Sequence, residues 1–197
     1  MRRRQYQRFD AGQGDLMVAA IQFSETLLAR GAGVKILLLD VDGVLTDGGL
    51  LYSESGETMK RFNTLDGHGL KMLQKAGITP AVVTGRDSAP LRARLQALGI
   101  QEARYGIDDK LPAAQSILDS LGLGWHQACA MGDDWPDWPM MHLAALSCAP
   151  ANAHAEIRAR AHWPSPAQGG HGAVREVCDL LLAANGHYGD LMRQYAL

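Results

Sequence analysis

The 197-residue chain has little of what membrane, disulfide-bonded or nucleic-acid-binding proteins need. No apolar run approaches the roughly 20 residues that a membrane-spanning helix requires. The three cysteines are odd in number and widely spaced in apolar surroundings, which favours buried free thiols over disulfides or a metal site. A formal net charge of -2 argues against a broad surface for nucleic acid or anionic lipid.

The N-terminal segment has no recognisable secretory signal, because Gln22, Ser24 and Glu25 fall where an apolar core would be needed. Residues 2–8 are basic but too few for a nucleic-acid arm, so a solvated tail is expected there. Residues 15–30 carry apolar side chains at helical spacing and predict an amphipathic helix. With 47% hydrophobic and 20% charged residues, the composition predicts a globular protein, and the free thiols together with the lack of a signal predict a cytoplasmic one.

One apolar run, residues 34–39, ends abruptly in two carboxylates. Such a run is typical of a strand buried on both faces of a parallel sheet. Asp40 and Asp42 follow it, at the end of the strand where open α/β sheets bind ligands. Two carboxylates this close repel each other unless a cation neutralises them or one is protonated. Mg²⁺ prefers carboxylates, waters and phosphate oxygens, so the pair indicates phosphate chemistry, although an isolated pair also occurs in polar turns.

Polar side chains also follow the next predicted strand, residues 78–83. Thr84 and Arg86 supply a hydroxyl and a guanidinium, both suited to phosphate oxygens. Ser88 is expected to cap the helix over 90–98. Lys110 begins the helix over 111–121, where the helix dipole disfavours a cation, and this local conflict indicates a functional role.

A second acidic cluster follows the predicted strand 127–131 and contains Asp133, Asp134 and Asp137. One of its carboxylates is expected to complete a metal site with the first pair. A neighbouring carboxylate either caps a helix or orients Lys110.

Alternating strands and helices predict a doubly wound parallel α/β sheet. Residues 49–62 predict a small β-hairpin inserted after the first acidic loop, and a hairpin that is marginally stable alone should pack on a second subunit. Further helices are predicted from residue 70, over 155–163 and over 173–184. We assign residues 1–30 to an N-terminal extension, 31–187 to the α/β domain and 188–197 to a C-terminal tail.

Four motifs occur in the order found in the haloacid dehalogenase-like phosphatases, which the chain resembles: DVDGVLT at 40–46, the threonine of VVTGR at 82–86, Lys110, and GDDWPD at 132–137. The resemblance implies the Rossmann-like fold of that family without a large cap domain. Longer runs at 60–69, 132–139 and 169–179 are similar to the members that act on acid sugar phosphates. The likeness covers about residues 34–186.

The resemblance implies a role for each motif. Asp40 would be the nucleophile that forms an aspartyl phosphate. Asp42 would act as general acid and then as base, with its backbone carbonyl on Mg²⁺. Asp133 would supply a carboxylate to Mg²⁺. Thr84 and Lys110 would bind the phosphoryl oxygens. Asp134 and Asp137 would support these groups from behind.

Substrate contacts and assembly are implied in the same way. Members of this kind form tetramers through the hairpin, and a neighbouring subunit's C-terminal segment closes the site. Arg86 is the strongest candidate for contact with a sugar carboxylate, because a guanidinium suits that group. The other substrate-facing candidates are Arg61, Asp66, Gly67, His68, Lys110 and the loop 169–172.

Two positions depart from the pattern. Leu65 and His171 stand where some relatives carry arginine, which leaves open whether the substrate is an eight-carbon or a nine-carbon acid sugar phosphate. The eight-carbon substrate would place the enzyme in lipopolysaccharide sugar synthesis.

Two other kinds of protein use similar residues. A phosphoryl-accepting receiver domain places its acceptor aspartate after a middle strand, and here no aspartate ends a strand between Thr84 and Lys110. A catalytically idle copy of the fold predicts a broken motif, and all four motifs are intact.

Overall fold

Six parallel strands form the sheet of this computed structural model, which describes residues 22–195. In chain order the strands are β1 (Ile36–Leu39), β2 (Leu51–Ser53), β3 (Gly56–Met59), β4 (Thr79–Val83), β5 (Glu102–Arg104), β6 (Ala128–Met131), β7 (Leu146–Ala149) and β8 (Trp163–Pro164). Two of these strands, β2 and β3, form a separate hairpin. The order across the sheet is β5-β4-β1-β6-β7-β8. The central strand β1 therefore places Leu39 between Val82 of β4 and Met131 of β6.

Helices cover both faces of this sheet, as the sequence predicted. They are α1 (Glu25–Gly31), α2 (Thr64–Lys75), α3 (Ala89–Leu98), α4 (Lys110–Leu121), α5 (Trp138–Leu143), α6 (Ala155–Arg160), α7 (Ala173–Ala184) and α8 (Tyr188–Gln194). Leu37 and Leu39 face the core shared with α2, α3 and α7, whereas Ile36 and Leu38 face the core shared with α4, α5 and α6. A strand buried on both sides needs apolar residues throughout, which explains the apolar run before Asp40.

The hairpin is formed by β2 and β3, which pair antiparallel, and it confirms the predicted insertion. Its apolar side chains are exposed: Leu51 is 49% exposed, Tyr52 62% and Met59 60%. Within residues 22–195 no large cap domain is present. None of the helices in this range is both long and apolar enough to cross a membrane.

Helix α2 begins six residues earlier than the predicted start at residue 70, which is a correction. The side chain of Asn63 caps it by accepting a hydrogen bond from the backbone N–H of Leu65. Two glycines lie inside the helix beside close side chains, at Gly67 the flexible end of Arg94 and at Gly69 the base of Cys178. A Cβ at Gly67 would lie 2.3 Å from Arg94 Nη2, and one at Gly69 would lie 3.0 Å from Cys178 Cβ.

The ends of the chain also differ from the prediction. Among the described residues the first helix begins at Glu25, since residues 22–24 are not helical, while residues 1–21 lie outside the described range. The segment predicted as a C-terminal tail contains α8, because Leu191 is buried and Tyr188 packs on the core. The boundaries after residues 30 and 187 stay predictions.

Three short elements depart from the pattern-based expectation. Strands β5 and β8 contain three and two residues. They were not predicted, because so few residues show no recognisable pattern of apolar and polar side chains. Helix α6 ends at Arg160 rather than residue 163, because Trp163 joins the sheet edge beside Cys148.

Candidate active site

The carboxyl ends of β1, β4 and β6 and the start of α4 surround one cleft of about 380 Å³. Eight of the predicted site residues line it: Asp40, Asp42, Thr84, Arg86, Lys110, Asp133, Asp134 and Asp137. The sheet brings these side chains together although their motifs are far apart in the sequence. Their individual roles stay predictions.

A buried lysine links two of the carboxylates. Lys110 Nζ donates to Asp40 Oδ1 at 2.7 Å and to Asp137 Oδ1 at 2.6 Å, and its side chain is only 6% exposed. Burial alone would lower the pKa of Lys110, but the two carboxylates outweigh it and raise the pKa. The lysine that conflicted with the helix dipole is therefore held charged at the bottom of the cleft.

Asp137 orients Lys110, one of the two tasks that the sequence left as alternatives, whereas its side chain makes no capping hydrogen bond to α5. One oxygen accepts from Lys110, and Oδ2 accepts from the backbone N–H groups of Asp133 and Asp134 at 3.0 and 3.2 Å. A Cβ at Gly132 would lie 2.2 Å from Asp137 Cβ, so this turn requires glycine. Asp137 thus orients Lys110 and braces the loop after β6.

Three carboxylates at the cleft have the donor chemistry of a hard-metal site. Oxygens of Asp40, Asp133 and Asp137 lie within 4.8 Å of one another. Burial, reinforced by Asp40 and Asp137, raises the pKa of Asp133 to about 8, and burial reinforced by Asp137 raises that of Asp40 to about 6. An all-oxygen cluster that carries more negative charge than Lys110 neutralises fits a divalent cation such as Mg²⁺.

The metal ligands within this cluster can be ranked from their contacts. Both oxygens of Asp137 already accept hydrogen bonds, so Asp40 and Asp133 are the better carboxylate candidates. The side chain of Asp42 is not part of the cluster, and only its backbone carbonyl was predicted to bind the metal.

Gly43 allows the two acidic loops to approach. Its φ is +95°, and a Cβ there would lie 2.1 Å from Asp133 Oδ2. Glycine is required both for the left-handed turn and for the contact with the second acidic loop.

Asp42 faces the hairpin as well as the cleft. The Lys60 ammonium hydrogen-bonds to Asp42 Oδ1, while Arg86 Nε lies 3.7 Å from Asp42 Oδ2. Arg86 also donates to the hydroxyl of Tyr52, at 3.0 Å. Sequence reasoning missed Lys60, and the available signal was a lysine within the hairpin predicted over 49–62, directly after the acidic loop.

A second loop supports the first acidic loop from within the same chain. Asn152 donates to the carbonyl of Gly43 at 2.9 Å and accepts from the N–H of Gly169 at 2.6 Å. The N–H of Gly170 donates to the carbonyl of Val44 at 3.0 Å. The loop 169–172, predicted to face substrate, thus packs on the loop that follows Asp40. No sequence pattern marked Asn152.

The structure does not bring four of the predicted substrate residues into the cleft. Asp66 is 1% exposed and accepts from the N–H of Arg175 at 2.8 Å, so it braces the start of α7. Gly67 packs in α2, and the His68 ring lies 5.8 Å from that of Tyr195. Arg61 is exposed and contacts Asp47 and His171. Within one chain, their substrate roles have no geometric support.

A parallel sheet that presents paired aspartates, a threonine, a buried lysine and a second acidic cluster at its strand ends is the arrangement of a haloacid dehalogenase-like phosphatase. Residues 106–176 match the family model described as haloacid dehalogenase-like hydrolase. The 3-deoxy-D-manno-octulosonate 8-phosphate phosphatase KdsC of Yersinia pestis is 40% identical over 161 residues, which cover 82% of this chain and 86% of that protein. The chain belongs to this phosphatase family and is a phosphomonoesterase.

Solved structures agree with the fold. A probable YrbI family phosphatase from Pseudomonas syringae pv. phaseolica 1448a is 43% identical with a TM-score of 0.86, covering 88% of this chain and 99% of that one. The phosphatase of Moraxella catarrhalis, solved with magnesium ion, phosphate ion and KDO, is 34% identical with a TM-score of 0.83, covering 86% and 97%. Membership of the phosphatase family excludes the alternative that the chain is a phosphoryl-accepting receiver domain.

Proposed function

We propose that the chain hydrolyses 3-deoxy-D-manno-octulosonate 8-phosphate to the free sugar acid and phosphate, with Mg²⁺ as cofactor. The observation that carries the proposal is the Asp40 carboxylate, held 2.7 Å from Lys110 at the end of β1 and lining the same cleft as Thr84 and Arg86. The relatives named for this reaction, one of them solved with the magnesium ion and the sugar acid, support the substrate and the metal.

The first half-reaction makes an aspartyl phosphate. An oxygen of Asp40 attacks phosphorus, and the bond between phosphorus and the sugar oxygen breaks. Asp42 gives its proton to that departing oxygen, so the sugar leaves as a neutral alcohol.

The second half-reaction restores the enzyme. A water attacks the aspartyl phosphate, and the Asp42 carboxylate takes a proton from that water. Phosphate departs, Asp40 regains its carboxylate and Asp42 is again protonated for the next cycle.

Thr84 and Lys110 position the phosphoryl group. The ammonium of Lys110 and the hydroxyl of Thr84 stabilise charge on the phosphoryl oxygens, which is the main contribution of protein groups in phosphoryl transfer. Asp40, Asp133 and the backbone carbonyl of Asp42 would hold Mg²⁺. When bound, the ion supplies positive charge that draws the anionic nucleophile and the phosphate together.

Arg86 is the proposed contact for the sugar carboxylate. Its side chain is 43% exposed at the rim of the cleft, where a guanidinium can bind a carboxylate with two hydrogen bonds. A nine-carbon acid sugar phosphate is the alternative substrate, because it carries the same carboxylate.

The proposal extends to assembly and location, which the surface of the hairpin and the thiols support. The exposed apolar residues of the hairpin support a homotetramer formed through β2 and β3, in which a neighbouring subunit brings residues such as Arg61 or His68 to the cleft. Three buried free cysteines are consistent with the reducing cytoplasm, where the sugar of lipopolysaccharide would be made. We assign no nucleic-acid or membrane partner.

The deciding experiment measures phosphate release from the eight-carbon acid, the nine-carbon acid and a neutral sugar phosphate, with Mg²⁺ and with EDTA. We expect the highest kcat/KM for the eight-carbon acid and no turnover in EDTA. Preference for the nine-carbon acid would replace the substrate, and equal rates on the neutral ester would remove acid-sugar specificity. Asp40→Asn should abolish turnover and serves as the control for contaminating phosphatases.

A further inference from the structure

Lys60 is buried although it directly follows an exposed hairpin. Its side chain is only 1% exposed, while all three residues of β2 are exposed. The ammonium hydrogen-bonds to Asp42 Oδ1 and lies 2.6 Å from Glu57 Oε1. A buried ammonium is unfavourable unless carboxylates compensate it, so the contact with both acids is what allows Lys60 to be buried there.

This contact distinguishes the two oxygens of Asp42. Oδ1 is engaged by Lys60, whereas Oδ2 lies on the side of Arg86, whose Nε is 3.7 Å away and which lines the cleft. Asp42 therefore presents one defined oxygen to a bound substrate.

We propose that Lys60, supported by Glu57, is a positioning residue that fixes the Asp42 carboxyl for proton transfer to the leaving sugar oxygen. The inference rests on the proposed role of Asp42 as general acid. Each catalytic aspartate then has its own lysine: Lys110 from α4 holds Asp40, and Lys60 from the end of the hairpin holds Asp42. The hairpin contributes to catalysis as well as to the surface of the chain.

A leaving-group comparison separates this role from simple support of the hairpin. A sugar alkoxide needs a proton to depart, whereas 4-nitrophenolate departs without one, and general acid catalysis contributes about 10²-fold to 10⁴-fold. The value of kcat/KM reports the steps up to leaving-group release. Misplacing the acid should therefore slow the sugar phosphate much more than 4-nitrophenyl phosphate.

The experiment measures kcat/KM of Lys60→Met for 4-nitrophenyl phosphate and for the acid sugar phosphate that the wild type turns over best. We expect a loss of about 10²-fold on the sugar phosphate and of less than about threefold on the nitrophenyl ester. Lys60→Arg should recover part of the loss, since it keeps the cation. Lys71→Met, an exposed lysine on α2, should change neither value.

Asp42→Asn and Glu57→Gln complete the test. Asp42→Asn should show the same selective loss, and a larger one. If it does and Lys60→Met slows both substrates equally, Lys60 only supports the hairpin and the inference is wrong while the proposed function stands. If Asp42→Asn slows both equally, the acid role in the proposed function fails, and the inference with it. Glu57→Gln should give the selective loss in weaker form, which keeps the inference testable if Lys60→Met does not fold.

Discussion

Lys110 Nζ lies 2.7 Å from Asp40 Oδ1, although the two residues are separated by 70 positions in the sequence. The same ammonium holds Asp137, so one cation serves both the proposed nucleophile that follows β1 and a bracing carboxylate from the loop after β6. Positive charge is thus built into the floor of the cleft before any ligand binds.

Removal of this charge should affect both rate and stability. In Lys110→Met the phosphoryl oxygens lose their cation, and we expect kcat to fall by about 10²-fold to 10³-fold. The buried carboxylates of Asp40 and Asp137 lose their partner, which should cost about 3–5 kcal/mol of unfolding free energy near neutral pH. Phosphate release and urea unfolding would measure the two effects, with Lys71→Met as the control. An unchanged kcat would contradict the predicted phosphate contact.

The acidic cluster should make stability depend on pH and on magnesium. Burial and neighbouring acids raise the pKa of Asp40 to about 6 and that of Asp133 to about 8, from 3.8 for each. The folded state therefore holds these protons more tightly than the unfolded state. Their contribution to stability is complete below about pH 4 and is lost as pH rises through 6 to 8.

Thermal unfolding at about pH 5 and about pH 9, with and without Mg²⁺, tests this expectation. Without metal, raising the pH should lower the Tm of the wild type more than the Tm of Asp133→Asn. With Mg²⁺, the wild type should gain more at the higher pH, because the cation binds the ionised carboxylates. Equal Mg²⁺ stabilisation of wild type and Asp133→Asn would exclude Asp133 as a ligand.

The sequence predicted those parts of the site that end strands. Asp40, Thr84 and Asp133 were found because each follows a buried apolar run, and parallel strands bring their carboxyl ends to one edge of the sheet. Lys60 and Asn152 were missed because their contacts depend on how the hairpin and a loop dock, which no local period records. Ser88 shows the opposite error, a contact that was predicted and is absent. It occupies the N-cap position of α3, but its hydroxyl makes no capping bond and is buried without a hydrogen-bond partner within residues 22–195.

The loop 169–172, which precedes α7, should be intolerant of any side chain at Gly169. A Cβ there would lie 1.8 Å from the carbonyl oxygen of Gly43, so Gly169→Ala must displace the loop that follows Asp40. We expect a loss of about 1–3 kcal/mol in stability and at least a tenfold loss in kcat. Urea unfolding and steady-state kinetics check this, with Gln168→Ala, an exposed neighbour, as control. Wild-type kinetics in Gly169→Ala would show that the loop does not hold Asp40 in place.

Arg86 should govern recognition of the substrate carboxylate. In Arg86→Ala we expect KM for the eight-carbon acid sugar phosphate to rise by about 10-fold to 100-fold, since a charge-assisted pair is lost. KM for a neutral sugar phosphate should change by less than about threefold. Tyr52→Phe removes only the hydroxyl that accepts from Arg86, so it should give a smaller effect of the same selectivity. Equal changes on both substrates would assign Arg86 to the phosphate instead of the carboxylate.

The hairpin should hold the subunits together. Leu51 in β2 is 49% exposed beside Tyr52 and Met59, and a charged residue in such an apolar patch would oppose its burial between subunits. We expect Leu51→Lys to shift the sedimentation profile from tetramer toward monomer. Leu121→Lys is the matched control, because Leu121 is 38% exposed at the end of α4, outside the hairpin. A profile that is the same for wild type and Leu51→Lys would place the interface elsewhere. The hairpin could then not be what brings Arg61 and His68 to the cleft of a neighbouring subunit.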